Sequence, residues 1–333
     1  MSYEPPFKIT SKAINLISQI SEKIGEINNL ENTEQSVQLR KKNRIRTIHS
    51  SLAIENNSLS IEQITAIIEG KRVLGPPNEI QEVKNAVQAY ELLLNLNPYN
   101  QKDLLKAHQL MMNDLVKHSG KYRKGGVGIF DGKDVVHVAP PADRVPFLMN
   151  DLFAWLKNSD AHPLIKSCVF HYEFEFIHPF EDGNGRMGRL WQTVILTAWK
   201  PIFAWLPIET LIKENQKLYY KALGISDSNA DSTEFIEFML SIILKTIKEI
   251  IATELKITQK ITQKITVNQQ KIIAAVKNNP YITQEELAEI VGIARLNIIK
   301  NMKKLQEQNI IKRIGADKNG YWQILDEKLQ KNL

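Results

Sequence analysis

At 333 residues, 43% hydrophobic and 24% charged, the chain has the balance of an ordinary soluble globular protein and the length for one large domain plus a small one. Its one cysteine, Cys168, excludes an internal disulfide framework and any cysteine-only metal cluster; set in the apolar run LIKSCVF, it reads as a buried, inert thiol. The net charge of +6 is uneven: residues 256–333 carry 14 Lys/Arg against 7 Asp/Glu, a net of +7, so the rest of the chain sits near −1.

The opening MSYEPPFKIT has no apolar signal core, which makes a cytoplasmic protein the expectation. Residues 1–95 read as helical, with apolar positions recurring through Ile14, Ile17, Ile20 and Ile24 and again through Val83, Val87, Tyr90 and Leu94. The turn Gly70–Asn78 separates two of these helices. Residues 102–116 and 145–157 read as helices too. Between them VGIFDGKDVVHV has the pattern of a β-hairpin, with Asp131-Gly132 at its turn. Helices resume from about Pro163 to Ile250. The most membrane-like run, Leu190–Ile208, is interrupted by Gln192, Lys200, Pro201 and Pro207, so a core helix followed by a loop is expected and no membrane association.

The repeat KITQKITQKIT, residues 256–266, marks a domain boundary, as either a helical connector or an extended linker. Beyond it, Thr283–Glu286 form a capping box opening a helix that ends near Gly292. A second helix, Ala294–Gln308, is expected to bury Leu296, Ile299, Met302 and Leu305, and IIKRIGADKNGYWQIL reads as a hairpin. This order is that of a winged helix-turn-helix. Arg295, Asn297, Lys300 and Lys304 would line the exposed side of the second helix, with Lys312, Arg313 and Lys318 on the hairpin. Such a face suits duplex DNA, or is the solvated basic side of a protein-interaction module.

The stretch FHYEFEFIHPFEDGNGRMGR, Phe170–Arg189, carries the chemistry. Its alternating aromatics suggest a strand, and Gly183–Gly188 spells G-x-G-x-x-G. Yet Ile165, Val169, Tyr172 and Phe176 fall at helical spacing. A dinucleotide turn needs a strand running almost directly into the first glycine; here HPFED intervenes, and Glu209, about twenty residues on, follows Pro207 in no strand. The helical reading gives a helix ending near Ile177, a loop His178–Asp182 and a new helix from about Gly185. Free N–H groups at such a helix start suit phosphates. Gly183 and Gly185 permit close backbone approach, and Asn184 adds a neutral donor. Arg186 and Arg189, three residues apart, are placed to converge on one polyphosphate. Asp182 suits Mg²⁺ held together with phosphate oxygens, and His178 is suited to take a proton near neutral pH. His171 reads as a packing residue, His108, His118 and His162 as surface residues, and Tyr219 and Tyr220 as either an adenine border or packing.

The same residues, HPFEDGNGRMGR, resemble the H-x-F-x-(D/E)-G-N-G-R-x-x-R signature of Fic-domain proteins, with every defined position matched; similarity extends over roughly residues 45–250. The resemblance implies a mainly α fold: residues 1–100 an N-terminal helical region with an inhibitory helix at about 45–57, and 101–255 the catalytic core with a flap hairpin at 125–138. A linker at 256–266 and a winged helix-turn-helix at 267–333 complete the expected order. It implies transfer of AMP from ATP to a Ser, Thr or Tyr hydroxyl of a target protein, with His178 as base and Asp182 holding Mg²⁺. Gly183, Asn184 and Gly185 would form an anion hole, and Arg186 and Arg189 would hold the β- and γ-phosphates. Met187 and Gly188 share the signature, and Asn215 would help bind nucleotide. The flap would pair with an extended segment of the target. SLAIEN, Ser51–Asn56, resembles the family's inhibitory pattern S/T-x-x-x-E-G/N. If Glu55 reaches Arg189, it takes the place the γ-phosphate needs. Transfer of another phosphate-containing group, removal of AMP, and a DNA-binding regulator that only senses nucleotide stand as alternatives. The oligomeric state is open, a homodimer included.

Overall fold

A computed structural model describes residues 3–28, 34–131, 134–308, 310–315 and 320–325. The chain divides into two compact units, one built largely from residues 39–250 and the N-terminal helix, the other from residue 251 onward.

The first unit begins with α1 (Ser11–Asn28), α2 (Glu34–Ile54), α3 (Ile61–Ile68), α4 (Pro77–Glu91) and α5 (Gln101–Met111). A hairpin, β1 (Gly128–Asp131) and β2 (Asp134–Val138), follows; its partners Gly128 with Val138 and Asp131 with Asp134 fix an antiparallel register with an irregularity between Ile129 and Phe130. Then come α6 (Val145–Asn158), α7 (Pro163–Ile177), α8 (Asn184–Trp199), α9 (Ile208–Glu214), α10 (Gln216–Asn229) and α11 (Thr233–Lys264). The KITQ repeat is thus a helical connector as far as Lys264.

α7 and α8 pack along each other at the centre, and both are buried nearly all round, which is the signature of helices inside a helical assembly. Leu190, Trp191, Val194 and Leu196 supply the bulk of α8's packing, and the Trp191 indole donates to the Pro98 carbonyl at 3.2 Å. Two expected apolar stripes are met in part. On α1 the buried face runs Ala13, Ile20, Ile24, Ile27, leaving Ile14 exposed. After Tyr90 the chain tightens into a 3₁₀ turn at Leu93–Asn95, so Leu93 goes inward and Leu94 outward. The helix expected over 102–116 stops at Met111.

In the second unit Thr266 caps α12 (Val267–Asn278) and Thr283 caps α13 (Gln284–Val291), both through capping boxes, and Gly292 ends α13 at φ 76°. α14 (Arg295–Glu307) and the antiparallel pair β3 (Ile311–Ile314) and β4 (Tyr321–Ile324) complete it. The core gathers Ile272, Val276, Leu287, Ile298, Met302 and Trp322. The expected core positions Leu296 and Ile299 are wrong. Leu296 is 71% exposed, because the inward stripe of α14 is Ile298–Met302–Leu305 and a residue two positions from Ile298 points about 200° away. The two hairpin tips, residues 132–133 and 316–319 with Lys318, lie outside the described residues.

Candidate active site

The junction of α7 and α8 forms the site. His178 ends α7 in the left-handed conformation, φ 48° and ψ 62°, its N–H donating to the Phe174 carbonyl at 2.9 Å. For a non-glycine residue that conformation costs on the order of 1 kcal/mol or more, so neighbours must impose it. Arg123 is one of them: its Nε donates to the His178 carbonyl at 2.7 Å. Asn184 is another. Its Oδ1 accepts from Phe180 N and its Nδ2 donates to Phe180 O, both at 2.9 Å, closing residues 180–184 into a ring. The Asn184 side chain therefore shapes the loop, with one of its two amide N–H groups committed to the Phe180 carbonyl. Gly183 starts α8 at φ 81°, and a Cβ there would meet Met112 Sδ at 2.6 Å, so both conformation and space require glycine. No side chain caps α8, which leaves its first-turn N–H groups and the positive end of its dipole to an anion.

Glu55 occupies that position. Its Oε1 lies 2.7 Å from Arg189 Nη2, and it is also the nearest atom to where a Cβ on Gly185 would stand. Gly185 thus makes room for an oxyanion directly over the first turn of α8. Arg189 is 1% exposed and further donates to Ser51, from Nε to Oγ at 3.3 Å and from Nη2 to the carbonyl at 3.0 Å. Burial works against its charge, and the Glu55 carboxylate together with Tyr219 and Glu175 more than offsets this, holding the proton above the ordinary arginine range. Arg186 is also buried, and it pairs with Glu82 at 3.2 Å and with Asp182 at 3.1 Å. The two arginines leave α8 together and are held by different carboxylates.

The segment carrying Glu55 is fixed by its own helix end. Asn56, at φ 68°, takes the left-handed position after α2, with Asn56 N bonded to Ala53 O and Asn57 N to Leu52 O. This is a Schellman ending, and it explains why a glycine or asparagine follows the glutamate. Asn56 itself is exposed and closes the helix, while Ser51 and Glu55 face the arginine. Carbonyls of the last turn are met by Lys213 Nζ on Ala53 O at 2.5 Å and Gln216 Nε2 on Ile54 O at 3.1 Å. Asn57 donates to Glu82 Oε2 at 2.7 Å, so one glutamate touches both this segment and Arg186.

Other sequence-predicted site residues fall elsewhere. Met187 is fully buried in the core, and Gly188 faces α7, where a Cβ would collide with Glu175 and His171; neither reaches the cradle. Asn215 donates to Leu211 O at 2.8 Å and joins α9 to α10, next to the residues that hold α2. Asp182 is 60% exposed, with Oδ1 accepting from Arg186 and from Gly183 N. His108 is buried, not on the surface: it stacks on Phe180 at 3.6 Å, its Nδ1 accepts from Gly120 N, and its Nε2 faces the Asp182 carbonyl at 3.1 Å. Burial lowers its pKa to about 4, so it is a neutral prop for the loop. His171 packs as expected, between Gln192 and Tyr219, with its pKa lowered by burial to about 3. His118 lies against Glu181, and His162 caps α7. Cys168 is buried, and burial pushes its thiol up to about 12. Tyr219 is core, whereas Tyr220 is exposed. Glu209 is buried, accepting from the Tyr90 hydroxyl at 3.0 Å and facing Thr193 on α8, and it stands on the helix α9 and in no strand. Sequence reasoning missed Arg123, Glu82 and Lys213, which no local pattern singles out.

Residues 98–196 match the Fic/DOC family, and residues 266–312 match a winged helix-turn-helix DNA-binding family. A solved Fic family protein from Desulfovibrio desulfuricans is 45% identical, with a TM-score of 0.74, over 97% of this chain and 98% of that one. A protein adenylyltransferase Fic of Aedes aegypti is 28% identical over 59% of this chain and 39% of its own length. A probable protein adenylyltransferase of Aquifex aeolicus is 25% identical over 85% of each. The chain thus spans about two fifths of the length of the first of these curated relatives and most of the second.

Proposed function

The chain belongs to the Fic family, and from that premise we propose that it is a protein adenylyltransferase: it moves AMP from ATP to a Ser, Thr or Tyr hydroxyl of a target protein, and Glu55 restrains it. The observation that carries this reading is the carboxylate of Glu55 lying over the uncapped first turn of α8 on a buried arginine, where a terminal phosphate would sit. In the active state the triphosphate replaces it, with Arg189 and Arg186 on its phosphates and the α8 N–H groups facing its oxygens. The target hydroxyl oxygen attacks the α-phosphorus, its proton passes to the His178 imidazole, and the bond from the α-phosphorus to the bridging oxygen breaks. Pyrophosphate leaves, and the target keeps AMP as a phosphodiester. Asp182 is exposed at the mouth of the turn. One carboxylate together with phosphate oxygens is an ordinary Mg²⁺ environment, so Asp182 would hold the ion that accompanies ATP and neutralises its phosphates. Among the described residues no group of three His, Cys, Asp or Glu converges on a metal position.

The hairpin 125–138 is the docking edge in this reading, pairing with an extended target segment through main-chain bonds. For residues 267–333 the proposed partner is duplex DNA. Asn297, Lys300, Lys304 and Lys312 are exposed, while Arg295 is tied to Glu285 at 2.9 Å and Arg313 lies over Trp322. The catalytic reading is tested by incubating the Glu55→Gly variant, in which the proposed restraint is removed, and a lysate with ATP labelled at the α- or the γ-phosphate. Covalent label from the α position alone supports AMP transfer. Label from γ, or nucleotide binding with no transfer, rejects it.

A further inference from the structure

Arg123 is 3% exposed, and its hydrogen bonds go to main-chain carbonyls of two segments far apart in sequence. Nε donates to His178 O at 2.7 Å and Nη2 to Ile177 O at 3.3 Å, gripping the end of α7. Nη1 donates to Gly125 O at 2.9 Å and Nη2 to Pro140 O at 2.5 Å, gripping the chain on either side of the hairpin β1–β2. Its own N–H adds a bond to Pro179 O at 2.9 Å. One planar fork thus ties both roots of the hairpin to the left-handed turn at His178. A guanidinium offers five donors in fixed directions, whereas an ammonium is a point charge that cannot span such a set.

We propose that Arg123 is the positioning residue that sets the register between the β1–β2 hairpin and His178, so that a peptide pairing with the hairpin presents its hydroxyl to the imidazole. The proposal rests on the AMP-transfer reading for its consequence, but the linkage itself is independent of it. Arg123 acts through the backbone and touches no residue of the 183–189 cradle, so its loss leaves nucleotide affinity alone and damages the geometry of attack. A displacement of about an ångström at the reacting atoms lowers a rate on the order of a hundredfold.

The test uses the full chain, with Arg123→Lys as the main variant and Arg123→Ala as the harsher one, each with and without Glu55→Gly. Hydrogen exchange read by mass spectrometry is expected to rise in Arg123→Lys together in peptides spanning 122–140 and 177–183, while the peptide over 184–199 stays as protected as in the wild type. Affinity for a fluorescent ATP analogue is expected to hold within about twofold, and AMP transfer by the Glu55→Gly parent to fall on the order of a hundredfold on adding Arg123→Lys. Exchange that rises in only one of the two peptides, or equally across α8, overturns the proposal. So does Arg123→Lys transferring as fast as its parent. A parent that binds nucleotide but transfers nothing sinks the AMP-transfer reading instead, and the paired exchange result still decides the role of Arg123.

Discussion

The two basic regions of this chain treat positive charge in opposite ways. On α8, Arg186 and Arg189 are buried, and each is held by a carboxylate from a distant part of the sequence. On α14 and β3, Lys300, Lys304 and Lys312 stand in solvent. A buried cation with no partner is very costly, so the first unit must supply an internal anion whenever no ligand is bound. In the proposed reading, that requirement makes a resting, self-occupied state a natural consequence of a phosphate site built in advance. The exposed face has no such need. Its charges are screened by salt, and in the proposed DNA complex they would bind by displacing counterions.

Breaking the chemistry in the buried region gives the largest expected effect. His178→Ala is expected to lower AMP transfer by roughly a hundred- to ten-thousand-fold while nucleotide affinity stays within a few-fold, because the imidazole precedes the cradle and acts on the hydroxyl. Transfer and ATP binding, measured side by side, check both halves. The exposed region is expected to respond to salt where the buried one does not. Binding of duplex DNA by the full chain should weaken steeply between about 50 and 200 mM salt, and Lys300→Ala or Lys312→Ala should each lessen the slope of log affinity against log salt by about one. Fluorescence anisotropy gives the slopes, and a lack of binding at the lowest salt would assign the face to protein recognition. The smallest effect sharpens the account of α2. Lys213→Ala removes a cation from the last turn that carries Glu55, a contact of about 0.3–1 kcal/mol, so basal transfer should rise about two- to fivefold. A rate at or below wild type would mean that this contact does not hold the restraint.

Much of the site was legible because its information is local. The helix stop at Ile177, the loop from His178 and the restart at α8 follow from residue order alone, as do the Thr283 capping box and the Gly292 stop. What escaped lies in contacts between distant residues. Arg123 reaches His178 across 55 positions and Arg186 reaches Glu82 across 104, and neither separation leaves a mark in periodicity. His108 looked like a surface residue because nothing nearby in sequence reveals that Phe180 and the Asp182 carbonyl will close over it. On α14 the difficulty was of another kind. Leu296–Ile299–Met302–Leu305 and Ile298–Met302–Leu305 are both plausible helical stripes, and only packing against α12 and α13 selects the second.

The proposed restraint by Glu55 is tested most directly by the initial rate of AMP transfer, self-labelling included, from α-labelled ATP for the wild type, Glu55→Gly and Glu55→Gly with His178→Ala, at matched folded fraction. Removing the carboxylate over α8 frees Arg189 for the terminal phosphate, so the single variant is expected to run on the order of a hundredfold faster than wild type, and the double variant to lose that gain. A Glu55→Gly rate equal to or below that of the wild type would contradict the account.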